Sequence, residues 1–134
     1  MPETETLLFD TGALIDIYRG RPQIKTRFQA LLAGKLVGYV SAVSEAELWR
    51  GVRPAEIERH EAILSYFISL PIDSGRACLA GQWMQRYEAQ GLGWMDALIA
   101  ATGAQAKLTI LTRDATLGRL MANEARFEVY DSAS

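Results

Sequence analysis

Apolar residues along this chain gather into short unbroken runs, separated by longer stretches with a helical period. Residues 6–9 form one such run and end at Asp10-Thr11-Gly12, which reads as a buried strand entering a turn. Residues 36–40 and 108–111 predict two more strands, and residues 127–130 a last one. Residues 13–18 and 23–33 predict helices, the first broken by Arg19-Gly20-Arg21-Pro22 and the second stopped by Gly34. A third helix is expected over 41–50, ending at Gly51. Pro54 suits a first helical turn and starts a fourth, expected to reach about Ser69, because Ile57, Ile63, Leu64 and Phe67 fall mostly on one side. Residues 70–72 connect. Asp73 or Ser74 caps a helix reaching about Gln90, residues 94–106 predict an alanine-rich helix, and residues 115–122 a short one. Within the fifth helix, Ala77, Ala80, Met84 and Tyr87 form a stripe that must pack against something.

Strands alternating with helices predict an α/β protein, with helices on both faces of a mostly parallel sheet of four to five strands. Strands in such a sheet are buried on both sides, which accounts for runs without polar alternation. The 134 residues, without repeat or linker, suit a single domain over 1–134.

Composition narrows the chemistry. Sixteen acidic and 14 basic residues leave a net charge of −2, which excludes a broadly basic nucleic-acid coat. An apolar fraction of 49% excludes an acidic disordered chain. The single cysteine, Cys78, and single histidine, His60, exclude a disulfide framework and a cysteine- or histidine-rich metal site. Metal chemistry would fall to oxygen ligands, and acid–base chemistry to carboxylates. Cys78 is expected to be a small buried residue and His60, among glutamates, to be exposed. The polar start lacks the pattern of a signal peptide and no run is long enough to span a bilayer. A cytoplasmic protein without a membrane partner is therefore expected.

Four acids stand at ends of these elements. Asp10 closes the first strand, Glu47 lies in the helix after the second, Asp96 starts the alanine-rich helix, and Asp114 follows the 108–111 strand. Ligands of open parallel sheets bind beyond the carboxyl ends of the strands, so Asp10 and Asp114 converge if their strands are neighbours. Each acid also has a structural reading. Asp10 suits an Asx-turn, Ser44 and Glu47 match a capping box, and Asp96 and Asp114 suit helix N-termini. Carboxylates beside apolar segments are costly unless paired or metal-bound, and together they repel. Magnesium or manganese, with water completing the shell, would relieve that repulsion.

The segment Leu8-Phe9-Asp10-Thr11-Gly12-Ala13-Leu14-Ile15-Asp16 resembles the opening motif of PIN-domain nucleases, close to the VapC-type toxins of bacterial toxin–antitoxin modules. The stretch from Val40 to Gly51 is similar to that family's second motif, with Glu47 in the place of the acid. Asp96-Ala97-Leu98-Ile99-Ala100-Ala101-Thr102-Gly103 resembles the third motif and Leu111-Thr112-Arg113-Asp114 the fourth. Four motifs in order cover nearly the whole chain. Many relatives carry a further aspartate after the Thr-Arg pair; here Ala115-Thr116-Leu117-Gly118 has no acid, so Asp114 stands as the fourth.

The resemblance implies a PIN-like α/β/α sandwich and a Mg2+- or Mn2+-dependent endoribonuclease. Asp10, Glu47, Asp96 and Asp114 would form its catalytic and metal-binding set, and a metal-activated water would cleave RNA. It further implies a homodimer silenced by a cognate VapB-like antitoxin. Thr11, Ser44 and Thr112 are hydroxyls placed to orient the carboxylates or a bound water, or else to cap helices. The basic set holds 11 arginines and three lysines, which suits forked phosphate contacts. Arg19, Arg21, Arg50, Arg53 and Arg113 lie near the motifs and are candidates for RNA binding; Trp49 and Trp94 could stack on bases or pack in an interface. Two rivals remain: a magnesium-dependent phosphohydrolase of another type, and an inactive PIN-like binding module. Asp10-Thr11-Gly12 is similar to the start of haloacid-dehalogenase-like phosphatases, but Gly12 stands where they place a second aspartate.

Overall fold

The computed structural model describes residues 4–131. Five strands, all parallel, form one sheet in the order β3-β2-β1-β4-β5. They are β1 (Glu5–Phe9), β2 (Leu36–Ser41), β3 (Phe67–Leu70), β4 (Thr109–Thr112) and β5 (Phe127–Val129). The helices are α1 (Thr11–Tyr18), α2 (Pro22–Leu32), α3 (Ala42–Gly51), α4 (Ile57–Leu64), α5 (Ser74–Tyr87), α6 (Trp94–Ala106) and α7 (Ala115–Leu120). Single 3-10 turns cover Pro54–Glu56 and Glu88–Gln90.

Side-chain alternation on the central strands divides the interior in two. Leu7, Phe9 and Leu111 face a layer built with Leu14, Ile17 and Ile24 of α1 and α2. Leu8 and Ile110 face Ala80, Trp83 and Met84 of α5 and Ala97, Ala100 and Ala101 of α6. Of the stripe expected on α5, Ala80 and Met84 are core and Tyr87 packs against it, while Ala77 is exposed. Small residues let α6 lie close on the sheet: a Cβ on Gly103 would stand 2.5 Å from Cγ1 of Ile110, nearer than side chains tolerate. α6 is thereby seated on the sheet, and its first turn carries Asp96.

Three expectations are corrected. The helix expected to run to about Ser69 ends at Leu64, and residues 67–70 form the edge strand β3. Phe67 is buried there, its ring edge-on to Phe9 at 5.1 Å between centroids, while Ile68 and Ser69 are exposed. An edge strand covered on only one side carries too few buried positions to show its period. His60 is buried rather than exposed, with Nδ1 2.6 Å from the Tyr18 hydroxyl and its ring edge-on to Trp49. Desolvation holds its imidazole below the usual value and therefore neutral. Cys78 is exposed on α5 rather than buried.

Candidate metal centre

The sheet reverses direction of winding at β1, which has β2 on one side and β4 on the other. Crevices at such a point lie beyond the carboxyl ends of the strands. Phe9 pairs with Leu111, and the Asp10 N–H donates to the Leu111 carbonyl at 3.0 Å. Asp10 and the Thr112-Arg113-Asp114 turn therefore leave neighbouring strands side by side.

Asp10 is 7% exposed. One of its oxygens accepts the Thr11 N–H at 2.8 Å, which caps α1, and the other accepts the Thr112 hydroxyl at 2.8 Å. The same Thr112 oxygen accepts the Asp114 N–H at 3.0 Å. Asp114 in turn caps α7 by accepting the Leu117 N–H at 3.0 Å. One threonine thus ties two acids together.

Thr11 ties in the third. Its hydroxyl donates to Oε1 of Glu47 at 2.7 Å and lies 2.8 Å from the hydroxyl of Ser44, which is fully buried. A chain in which Ser44 donates to Thr11 and Thr11 to Glu47 satisfies every proton. The capping-box reading of Ser44 and Glu47 fails, because the N-cap of α3 is Ser41, whose hydroxyl accepts from the Val43 N–H. Ser44 and Glu47 lie one turn apart inside α3, on the face toward α1.

Asp96 lies in the first turn of α6, whose N-cap, Gly93, offers no side-chain cap. Its carboxyl is pushed up to about 6, first by burial and then by the charges of Asp10, Asp114 and Glu47. The Asp10 carboxyl is also raised by burial, against its two hydrogen bonds, with Glu47 and Asp114 adding to the rise. All four predicted acids therefore act within one electrostatic neighbourhood. Among the described residues no three histidine, cysteine or acidic side chains close into a preformed cage. The donor set nevertheless fits a hard divalent cation that keeps part of its water shell, as magnesium does. Such an ion would relieve the mutual repulsion that raises Asp96.

A fifth acid carries a role that the motifs do not reveal. Asp16 is 1% exposed, on the inner side of α1. It pairs with Arg113 at 2.6 Å and accepts the Tyr130 hydroxyl at 2.6 Å. The Tyr130 N–H donates to the Thr112 carbonyl at 3.0 Å, so the ring of contacts closes on the turn that carries Asp114. Gly12 leaves the passage for this arginine, since a Cβ there would stand 2.8 Å from its Nε. The sequence signal was a charge amid Ala13, Leu14, Ile15 and Ile17. Of the candidate RNA-binding arginines, Arg113 commits one nitrogen to Asp16, whereas Arg19 and Arg50 are exposed and Arg21 half-buried. Trp49 and Trp94 are both exposed.

The sheet order, the crevice at β1 and the joined acids define an open parallel α/β fold with an oxygen-rich centre at its switch point. The PIN domain family model matches residues 7–122, and the chain belongs to that family. Solved structures agree in fold. A toxin–antitoxin complex from Klebsiella pneumoniae is similar at 28% identity and TM-score 0.74, over 92% of this chain and 96% of that one. FitAcB from Neisseria gonorrhoeae is 30% identical, with TM-score 0.69, over 91% and 96% of the two chains. DNA-bound VapBC from Salmonella typhimurium is similar at 20% identity and TM-score 0.76, over 93% and 98%. No curated protein sequence matches the chain. Membership of the PIN family sets aside the haloacid-dehalogenase-like reading. No helix among the described residues is long and apolar enough to cross a membrane.

Proposed function

We propose that this chain is the VapC-like toxin of a toxin–antitoxin pair, a single-domain endoribonuclease that needs Mg2+ or Mn2+ and works in the cytoplasm. The observation that carries the reading is the convergence of Asp10, Glu47, Asp96 and Asp114 at the carboxyl ends of β1 and β4, where shared threonines join three of them and burial, then the charges of the other three, raises the Asp96 carboxyl to about 6. Similarity to toxin–antitoxin complexes supports the pairing with a VapB-like antitoxin. Exposed Trp94, Met95, Tyr66 and Ile68 offer apolar area for an antitoxin helix or for a second copy in a homodimer.

A bound divalent cation would supply an acidified water and neutralise phosphate charge. Asp10, Asp96, Glu47 and Asp114 would hold it, some through water. Thr112 and the Thr11 N–H aim the Asp10 carboxylate and offset part of the rise that burial imposes on it, and the Thr11 hydroxyl orients Glu47. One of these carboxylates would accept the proton of the attacking water. The test is to express wild type and Asp96→Asn side by side and sequence the RNA ends. New ends with 5′-phosphate and 3′-hydroxyl groups should appear with wild type only. Ends bearing 2′,3′-cyclic phosphate, or equal cleavage by Asp96→Asn, would overturn the assignment.

A further inference from the structure

Beside the acids, the C-terminal ends of α1 and α3 and the start of α4 enclose a cleft of about 500 Å3. Glu47 forms part of its wall, so the cleft opens from the carboxylate centre itself. Arg19, Arg53 and Arg59 line it together with Tyr18. Arg59 is pre-set: it donates to the Tyr18 carbonyl at 2.7 Å, and its guanidinium lies over the Tyr18 ring at 5.8 Å. Arg19 and Arg53 are exposed, and neither makes an ion pair among the described residues. Against these three cations stand Glu47, turned to Thr11, and Glu56, which accepts the Arg53 N–H. In a protein of net charge −2, this is a local concentration of guanidinium forks of the size that receives one small ligand.

We propose that the cleft is a nucleotide subsite. It takes the nucleotide next to the scissile bond in a single-stranded RNA, with Arg19 and Arg53 on the flanking phosphate and the Arg59–Tyr18 stack holding one wall. The inference rests on the nuclease reading, because it is the shared Glu47 wall that puts the next phosphate here. A concave space of this volume admits a single nucleotide and not a paired helix, so the nucleotide seated in it is unpaired. Arg59 thus joins Arg19 and Arg53 in RNA binding, while Arg21 and Arg50 lie outside the cleft lining.

The test uses the full chain carrying Asp96→Asn, so that RNA survives, and follows polarisation of a labelled single-stranded oligoribonucleotide across a salt series. Adding Arg19→Gln and Arg53→Gln should weaken binding by roughly tenfold or more and lower the salt slope by about 0.7 for each phosphate that is no longer neutralised. Arg119→Gln, exposed at the end of α7, should change neither. A thermal melt confirms that each variant is folded. If affinity and slope match the parent, the subsite is overturned while the nuclease reading stands. If the arginine changes abolish only capture of an inhibitory protein, the cleft is a protein-docking surface and the subsite again falls. If the parent itself binds no RNA and wild type cleaves none, both readings fall together.

Discussion

Asp96→Asn should make the cation-free protein more stable while removing its response to divalent metal. Its carboxyl rises from an ordinary value of 3.8 to about 6 on folding. At about 1.4 kcal/mol per unit, a shift of that size is worth about 3 kcal/mol against the folded state at neutral pH. The group is partly solvated, and screening reduces the figure to about 1–2 kcal/mol. A chain of this length loses about 0.3 kcal/mol of stability per degree near its melting point, so the gain corresponds to roughly 4–7 °C. Below pH about 4 the carboxyl is protonated folded and unfolded, and there is no penalty. Between pH about 4 and 6 the unfolded chain gives up its proton first, so the penalty grows as pH rises, and above about 6 it is constant. Calorimetry in EDTA should show the variant melting higher at pH 7, with the gap closing toward pH 4. Added Mg2+ at ten times its Kd should stabilise wild type by about 1.4 kcal/mol and the variant by much less. A variant that melts below wild type at pH 7, or a gap indifferent to pH, would refute the electrostatic account of the centre.

Other substitutions test the frame around the acids. Asp16→Ala removes the ion pair to Arg113 and the acceptor for Tyr130, and should cost about 2–3 kcal/mol in urea unfolding, less than a fully buried pair because Arg113 reaches water. A loss under about 0.5 kcal/mol would show that this ring of contacts carries nothing. Gly103→Ala forces a methyl against Ile110 and should destabilise by about 1–3 kcal/mol, with Ile110→Val restoring part of the loss. Lys107 caps α6 at φ 58°, so Lys107→Gly should stabilise by about 0.5–1 kcal/mol and raise the melting temperature by a few degrees.

The central strands were legible because both of their faces are buried. β1 and β4 read as unbroken apolar runs because α1 and α2 cover one side and α5 and α6 the other. β3 was not legible, since only Phe67 of its four residues is buried and its apolar positions also fit a helix continuing from α4. His60 misled for a related reason. Glu56, Glu58, Arg59 and Glu61 around it are exposed, yet one residue of the turn points inward to Tyr18 and Trp49. The acids of the centre were legible from their places at element ends; Asp16 stands inside α1, where only its charge among apolar neighbours marked it, and nothing local pointed to Arg113 and Tyr130 as its partners.

The structural readings of the acids and their place in one centre are not alternatives, and the split between them explains why Asp96 behaves differently. Where a parallel strand ends, a helix begins, and the helix supplies free N–H groups at that spot. Asp10 and Asp114 take those donors, so the caps that start α1 and α7 also fix two of the carboxylates. Glu47 is inside a helix and draws its hydrogen bond from Thr11 on another element. Asp96 has burial and three like charges raising it, and among the described residues no hydrogen bond offsets them. It is the member of the set whose ionisation depends most on a positive charge from outside the chain. The net charge of −2 is thus divided unevenly: negative charge is held at one point by caps and threonines, while arginines line the cleft that opens beside it. A polyanion approaching this surface would meet the arginines at the cleft and need a cation only at the acids, which is the division of labour a phosphodiester substrate requires.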